Sequence, residues 1–269
     1  LTLAALAAMR DGGDPVLLVM PSDHVILDVP AFQSVVREGA ELAERGAIVT
    51  FGITPDSPET GYGYIQGGDE FGDGGARTIA RFVEKPDLAT AQVYLDDGSY
   101  YWNSGLFMMR ASVWLAAIEI CRGDILAACV EAWERGSIDG EFLRVDKDAF
   151  AQCPKDSIDY AVMERLASSK DTLPPGVVIP LSAGWSDVGA WDALWEVLPK
   201  NEDGNVIQGD VVMVGSHNTL AISEGRLLAC LGVDDMIVVQ TPDAVLVAHK
   251  SKTQEVKEIV DHLKREGRS

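Results

Sequence analysis

The sequence predicts an α/β fold: an open, mostly parallel sheet with helices on both faces, then a small β domain of left-handed β-helix type and a C-terminal helix. Two patterns lead to this prediction. Up to about residue 199, short apolar runs that fit buried strands alternate with amphipathic helical stretches. From residue 200 onwards, short β runs separated by Gly, Asn, Asp or Pro replace that alternation. We therefore divide the chain into domains 1–199 and 200–269.

Composition and charge narrow the classes of protein to which the chain can belong. Of its 269 residues, 47% are hydrophobic and 24% are charged, which is ordinary for a soluble folded protein. No apolar stretch reaches the ~20 residues that span a bilayer. The formal net charge of -20 repels nucleic acid and anionic membrane surfaces. We expect a cytoplasmic protein without either partner, in which a phosphate ligand would require a local cation.

The elements of the first domain follow from apolar runs and the residues that interrupt them. Residues 1–9 have a helical pattern, and the apolar run from Val16 to Met20 predicts a buried strand. The stretch Asp28-Val29-Pro30 predicts the start of a helix that ends at Gly46, and a loop rich in Pro, Gly and Tyr extends to about Gly75. The other predicted strands are 47–53, 78–83, 106–109 and 177–181. The other predicted helices are 88–95, capped by Asp87, then 111–120, 123–135, 157–168 and 188–198.

The second domain begins after the polar, turn-rich stretch KNEDGN, residues 200–205. Short β runs follow, and a charged helix over about 252–265 closes the chain. The β runs are VIQGDVVMVG, TLAIS, RLLACLG, MIVVQ and AVLVAH.

Asp23 follows the apolar run that ends at Met20. An aspartate in this position is often only a turn former or a helix cap. Asp28 is already placed to begin the next helix, so Asp23 is not needed as its cap. A carboxylate at the end of a strand suits Mg²⁺, which prefers one or two carboxylates together with phosphate oxygens. His24 is either a second ligand or a residue with a structural hydrogen bond.

Two further stretches combine polar side chains with glycine or proline. In SPETGYGYI, Gly63 allows close approach of a ligand to the backbone, and Tyr62 offers a stacking face and a hydroxyl. In FVEKPD, Glu84 can accept hydrogen bonds from sugar hydroxyls, and Lys85 can bind a phosphate. The alternatives are a structured turn for the first stretch and an exposed ion pair for the second.

Three later stretches also place polar groups beside predicted elements. In YYWNSGLF, Asn103 and Ser104 are neutral hydrogen-bonding groups ahead of a strand, with an asparagine turn as the alternative. Asp159 in SIDYAVMER lies near the N-terminus of a helical pattern, and Asp187 in GWSDVGAWDALW precedes one, so each is either part of a helix cap or a ligand-binding carboxylate.

Taken in order, six stretches resemble the bacterial mannose-1-phosphate guanylyltransferases of the sugar nucleotidyltransferase superfamily. They are PSDHVI, FGITPDSPETGYGYI, FVEKPD, YYWNSGLFMMR, SIDYAVMER and GWSDVGAWDALW. Each motif alone is moderately specific, and the resemblance rests on all six occurring in the family's order. It extends from about Leu1 to the closing helix.

The resemblance implies that the chain forms GDP-mannose and pyrophosphate from GTP and mannose 1-phosphate, by in-line attack on the α-phosphorus. It implies that Asp23 and Asp187 hold Mg²⁺ and act in catalysis together with Lys85, which contacts the phosphate. A homodimer stays open. The residues implied to bind the sugar substrate are Tyr62, Gly63, Glu84, Asn103, Ser104 and Asp159.

One element of that family has no counterpart in the 269 residues. It is a glycine-rich loop of the form G-G-x-G-x-R-L-x-P-L, which wraps the nucleotide phosphates and supplies an arginine. We therefore expect a polypeptide of residues 1–269 alone to fold poorly or to be inactive. The alternative function is a non-catalytic nucleotide-sugar sensor or subunit. A metal-dependent glycosyltransferase ranks last, because the D-x-D at Asp146-Lys147-Asp148 lies in a helix-rich polar stretch.

Overall fold

The structure, a computed structural model, describes residues 1–72, 74–168 and 172–268. The chain divides into two compact units. The first comprises Leu1–Ser22 and Asp28–Trp185, and the second comprises Asp23–Leu27 and Ser186–Ser269. Among the described residues, no helix is both long enough and apolar enough to cross a membrane.

The first part of the chain contains nine strands and six α-helices within the described ranges. The strands are β1 (Val16–Val19), β2 (Val25–Ile26), β3 (Ile48–Ile53), β4 (Tyr64–Glu70), β5 (Arg77–Val83), β6 (Tyr100–Arg110), β7 (Ser137–Asp139), β8 (Phe142–Arg144) and β9 (Gly176–Leu181). The helices are α1 (Thr2–Ala8), α2 (Val29–Glu44), α3 (Leu88–Asp97), α4 (Ala111–Glu134), α5 (Lys147–Ala151) and α6 (Glu164–Leu166), with a π-helical turn at Asp159–Met163.

The main sheet of the first unit is mixed. Over the part of the chain that the structure describes, it has six strands in the order β1-β6-β3-β9-β5-β4. The β3–β9 pair is parallel, whereas β1–β6, β3–β6, β5–β9 and β4–β5 are antiparallel. The prediction that most strands of the sheet are parallel is therefore wrong. One reason is that β6 lies between β1 and β3 and is antiparallel to both. The strands β1, β3 and β9 still run in one direction.

Helices cover both faces of this sheet, as predicted. On one face, Ile48, Phe107 and Met109 join a buried core with Trp114 and Ile118 of α4. On the other face, α2 packs closely against the sheet at Gly39. A Cβ atom added to this glycine would lie only 3.1 Å from the Phe51 ring. The predicted α/β architecture is thus confirmed.

Two predicted helix starts are confirmed by side-chain hydrogen bonds. The Asp28 carboxylate accepts from the Ala31 amide at 3.0 Å at the start of α2, and the Asp87 carboxylate accepts from the Thr90 amide at 2.8 Å at the start of α3. These bonds satisfy amides that lack a partner within the helix.

Strand β4 was not predicted. It lies in the stretch assigned to a loop, and it pairs with both β5 and β6. Gly67 and Gly68 lie in the middle of this strand and remove the alternation of apolar and polar side chains by which a strand is found. Added Cβ atoms at these two glycines would lie 2.9 Å and 2.6 Å from the side chains of Arg77 and Thr78 on the neighbouring strand.

The second unit is built mainly of short strands, and it confirms the predicted β domain. Its elements are β2, which pairs with β10, and then β10 (Trp185–Ser186), which begins at the boundary, α7 (Trp191–Val197), β11 (Val206–Gln208), β12 (Val211–Val214), β13 (Leu220–Ser223), β14 (Leu228–Leu231), β15 (Met236–Gln240), β16 (Val245–His249), a 3₁₀ turn at Lys250–Glu255 and α8 (Val256–Arg265). In its described residues, β11, β13 and β15 stack in parallel, and β12 and β14 form a second parallel pair. Successive parallel rungs of this kind are the arrangement of a β-helix.

The division between the units lies nearer the N-terminus than the predicted boundary after residue 199. The reason is α7, whose Trp191, Leu194 and Trp195 pack against the strands of the second unit. These strands bury Val206, Leu220, Ile222, Ile237 and Val239 beneath the helix. The sequence pattern showed a helix at this place but not the sheet that it covers.

Candidate functional site

Glu84 and Lys85 lie where β5 ends in the first unit. The Glu84 side chain is only 10% exposed, and its Oε1 lies 3.5 Å from Nζ of Lys85, whose side chain is 60% exposed. Burial raises the pKa of Glu84, and the nearby negative charge of Asp159 raises it further, while Lys85 opposes both effects. Lys85 adopts φ 48°, an uncommon conformation for a residue with a side chain. The site thus holds a buried carboxylate beside an accessible cation.

Asn103 and Asp159 are joined by a hydrogen bond. Asn103 Nδ2 donates to Asp159 Oδ1 at 2.9 Å, and Asn103 Oδ1 accepts from the Gly105 amide at 3.2 Å. Burial raises the pKa of Asp159, and the bond from Asn103 lowers it in part. The π-helical turn that begins at Asp159 has Ile158 as its capping residue and no side-chain cap. Asp159 therefore does not cap this turn; it forms part of a cluster of polar side chains with Glu84 and Asn103.

Gly63 makes room for that cluster. An added Cβ at this position would lie 2.4 Å from Glu84 Oε2 and 3.4 Å from the Asn103 Cβ. The Gly63 carbonyl also accepts from the Asn103 amide at 2.8 Å. Gly63, Glu84, Asn103 and Asp159 are thus brought together from four separate stretches of sequence, and any side chain at position 63 would displace the Glu84 carboxylate.

An aromatic group adjoins this cluster through Tyr62. The Tyr62 ring meets the Trp102 ring edge-on at 5.1 Å between centroids, and it meets the Trp185 ring in the same way at 5.6 Å. The sequence pattern indicated Tyr62 as a binding residue but not the two tryptophans. Trp102 is buried in a strand, where a tryptophan is usually a core residue, so its type alone gave no signal.

Ser104 differs from the other predicted residues of the first unit. Its side chain is buried, its Oγ donates to the Phe51 carbonyl at 2.6 Å, and the same oxygen accepts from the Leu106 amide at 3.3 Å. The bond to Phe51 holds β6 against β3 where the pairing of the two strands is irregular, between Thr50 and Gly52. A contact between Ser104 and the ligand stays a prediction.

The two carboxylates predicted to bind metal, Asp23 and Asp187, belong to the second unit. Asp187 Oδ1 accepts from the Gly189 amide at 3.0 Å, and Val188 between them adopts φ 49°. Helix α7 is capped by Ala190 without a side-chain hydrogen bond, so Asp187 is not its cap. Asp23 is exposed in a bend that follows β1.

The binding of Mg²⁺ by Asp23 and Asp187 stays a prediction. Among the described residues, no group of three or more His, Cys, Asp or Glu side chains could hold a metal. Two aspartates are the number that Mg²⁺ uses when phosphate oxygens and water complete its six positions. The D-x-D stretch is structural, because the Asp146 carboxylate caps α5 by accepting from the Ala149 amide at 2.8 Å.

Two family descriptions match the chain. The nucleotidyl transferase family matches residues 2–204, and the mannose-phosphate isomerase/GMP-like β-helix domain matches residues 209–263. These two ranges correspond to the α/β part and the β part of the fold.

Curated relatives match along the whole chain. The chain is 52% identical over 269 residues to the xanthan biosynthesis protein XanB of Xanthomonas campestris pv. campestris (strain B100), with 100% of the chain and 55% of the relative covered. It is 48% identical over 273 residues to the mannose-1-phosphate guanylyltransferase of Escherichia coli (strain K12), with 100% of the chain and 56% of the relative covered. The chain thus spans little more than half the length of these relatives.

A solved structure supports the same relationship. The crystal structure of a Thermus thermophilus protein, described as a mannose-1-phosphate geranyltransferase, matches with a TM-score of 0.78 and 32% sequence identity. The match covers 98% of this chain and 73% of that one.

Proposed function

The chain belongs to the nucleotidyl transferase family, and from this membership we propose that it provides the sugar 1-phosphate site and the metal-binding carboxylates for the formation of GDP-mannose and pyrophosphate from GTP and mannose 1-phosphate. The observation that carries the proposal is the convergence of Glu84, Asn103 and Asp159 beside Gly63. Relatives named mannose-1-phosphate guanylyltransferase match along the whole chain, and their name supports mannose 1-phosphate as the ligand of this cluster.

The polar cluster is suited to a sugar, because it offers acceptors of different charge in a small space. Glu84 and Asp159 are carboxylates that accept hydrogen bonds from hydroxyl groups, and such charge-assisted bonds are stronger than neutral ones. Tyr62 supplies an aromatic ring at the edge of the cluster. In this proposal the mannosyl unit contacts these residues together with Asn103, and Gly63 leaves the space for it.

Lys85 is the residue proposed to contact the phosphate. Its ammonium group lies beside Glu84 and is largely exposed, so it can move toward an incoming anion. Lys85 would fix the phosphate oxygen that attacks the α-phosphorus of GTP, while pyrophosphate leaves on the opposite side. Positioning and charge neutralisation are the main contributions that a protein makes to such a transfer.

Asp23 and Asp187 are the residues proposed to hold Mg²⁺. When bound, Mg²⁺ would neutralise phosphate charge, which matters in a chain with a net charge of -20. The Gly189 amide fixes one oxygen of Asp187 and thereby orients its carboxylate. Binding of GTP, a location in the cytoplasm and a homodimer are further parts of the proposal, and nucleic acid is not a proposed partner.

Calorimetric titration with sugar phosphates tests the proposal without requiring turnover. We expect mannose 1-phosphate to bind at least about tenfold more tightly than glucose 1-phosphate, a difference of about 1.4 kcal/mol. Lys85→Met should weaken the binding of mannose 1-phosphate, because it removes the cation. The matched control is Lys147→Met, a change at an exposed lysine of α5. Equal affinity for the two sugar phosphates, or equal effects of the two lysine changes, would contradict the proposed sugar site.

A further inference from the structure

Helix α4 is kinked at Arg122. This residue has φ -147° and ψ 64°, which lie outside the helical range, and two helical stretches meet there. Such a kink interrupts the ladder of backbone hydrogen bonds, in which the Cys121 carbonyl would accept from the Ile125 amide in a regular helix. The kink therefore makes a backbone carbonyl and an arginine side chain available to partners outside the helix.

The carbonyl at the kink is bound by Arg165 of α6. Arg165 Nη1 donates to the Cys121 carbonyl oxygen at 2.7 Å. A hydrogen bond from a guanidinium group is charge-assisted, so it is stronger than the neutral bond of a regular helix. Arg165 belongs to the stretch SIDYAVMER, and α6 directly follows the π-helical turn Asp159–Met163. This bond therefore fixes the C-terminal end of the turn to the kink of α4.

The side chain of Arg122 binds just before the same turn. Arg122 Nη1 donates to Asp156 Oδ2, and the two side chains are only 23% and 20% exposed. An ion pair that is mostly buried is screened less by water and salt than a pair on the surface. Asp156 Oδ1 accepts from the Ser157 amide at 3.0 Å, and the Ser157 hydroxyl accepts from the Tyr160 amide at 3.3 Å. Arg122 therefore fixes the N-terminal end of the turn.

We propose that Arg122 and Arg165 are positioning residues for Asp159: they fasten both ends of its π-helical turn to one kink of α4 and thereby hold its carboxylate against Asn103. A π-helical turn is rare in proteins and is found frequently at functional sites. Asp159 Oδ1 accepts from Asn103 Nδ2 at 2.9 Å, and this bond requires the turn to keep its place. The part of Asp159 in sugar binding rests on the proposed function, whereas the anchoring of its turn does not.

The affinity for mannose 1-phosphate, measured by titration calorimetry, tests the role of the two arginines in binding. Arg122→Gln and Arg165→Gln should each lower this affinity about fivefold or more, because the Asp159 carboxylate is no longer held in place. Arg165→Lys should retain most of the affinity, since an ammonium group can still donate a charged hydrogen bond to the carbonyl at the kink. The matched control is Arg135→Gln, which removes an exposed ion pair at the end of α4 and should bind as the unmodified chain does.

A double-mutant cycle separates positioning from a general loss of stability. If Arg122 acts through Asp159, Arg122→Gln should change the affinity of an Asp159→Ala variant for mannose 1-phosphate by less than about twofold. Equal losses with and without the Asp159 carboxylate would overturn the proposal, and so would unchanged binding by Arg122→Gln and Arg165→Gln. Far-UV circular dichroism verifies the fold of each variant. Asp156→Asn removes the charge of the same ion pair from the other side, and it replaces Arg122→Gln if that variant fails to fold.

The melting temperature tests the anchoring without a ligand. Asp159→Asn should raise the melting temperature of the unmodified chain at pH 7, because it removes a charge from a buried position. In the Arg122→Gln background this increase should shrink to less than about half, because the loosened turn lets the carboxylate reach water. A chain that shows this coupling but binds no mannose 1-phosphate would contradict the proposed sugar site and support the anchoring. An increase of the same size in both backgrounds would overturn the anchoring, whatever the result with the sugar phosphate.

Discussion

At the scale of single residues, Glu84 and Asp159 are the two carboxyl groups of the first unit to which the proposal assigns sugar binding. Burial raises the pKa of both carboxyl groups; the charge of Asp159 raises that of Glu84 further, and the hydrogen bond from Asn103 lowers that of Asp159 in part. Keeping two such groups together costs stability at neutral pH, and perturbed carboxyl groups of this kind occur most often where a protein binds a ligand. This cost supports the proposed binding role of the cluster.

Glu84→Gln should lower the affinity for mannose 1-phosphate roughly tenfold or more. The amide keeps the shape of the side chain but removes the charge, and a hydrogen bond to a charged group contributes about 1.5 to 3 kcal/mol. The affinity for GTP should change much less. Titration calorimetry with both ligands measures the difference, and Glu70→Gln at an exposed position of β4 is the control. Equal losses for the two ligands would refute the assignment of Glu84 to the sugar.

Asp159→Asn should raise the melting temperature at pH 7. A carboxyl group with a raised pKa in the folded state stabilises the fold while it is protonated, and this stability is lost as the pH rises from the ordinary value of 3.8 through the folded pKa. An asparagine stays neutral and can still accept from Asn103. We expect an increase of a few degrees, since about 1 kcal/mol corresponds to about 2 to 4 °C in domains of this size.

Scanning calorimetry of Asp159→Asn and the unmodified chain at pH 7 and pH 4 separates charge from shape. The difference in melting temperature should shrink at pH 4, where the aspartate is protonated in a larger share of molecules. An equal difference at both pH values would show that burial of the charge is not the cause.

At the scale of elements, the close approach of the turn at Gly63 to the end of β5 determines the position of Glu84. Gly63→Ala should reduce the binding of mannose 1-phosphate roughly tenfold or more, because the new methyl group would lie 2.4 Å from Glu84 Oε2 and must displace it. Gly61→Ala two residues earlier is the control, since no atom lies within 4 Å of its added Cβ. Similar binding by the two variants would mean that the position of Glu84 does not govern binding.

Helices and strands with a regular spacing of apolar residues could be predicted from the sequence. Elements that depend on pairing with residues distant in the sequence could not. The apolar runs of β1 and β3 and the capped start of α2 were found at nearly their observed bounds. The glycine-interrupted β4 was missed, and the direction of β6 between β1 and β3 has no local signal. The same limit applies to the site: motifs named Asn103 and Asp159, but the bond between them joins residues 56 positions apart in sequence.

At the scale of the whole molecule, the chain divides its polar groups between two units. The cluster of Gly63, Glu84, Asn103 and Asp159 belongs to the first unit. Asp187 belongs to the second unit, and so does Asp23, because the short segment Asp23–Leu27 is part of that unit. The sequence predicted a domain change after residue 199 and could not show that residues near the N-terminus join the later unit. The two aspartates, far apart in the chain, are thus members of one compact body.

If Asp23 and Asp187 act together on one metal, removing either charge should have nearly the full effect. Asp23→Asn and Asp187→Asn should each weaken the binding of Mn²⁺ about tenfold or more, and the double variant should bind little more weakly than either single variant. Electron paramagnetic resonance with mannose 1-phosphate present measures this binding. Asp210→Asn, at an exposed position of the same unit, is the control. An asparagine can still accept from the Gly189 amide, so Asp187→Asn should leave the melting temperature nearly unchanged. A lower melting temperature of Asp187→Asn with unchanged Mn²⁺ binding would instead make Asp187 a structural residue of its loop. If the losses of Mn²⁺ affinity in the two single variants added up in the double variant, the two aspartates would belong to different sites.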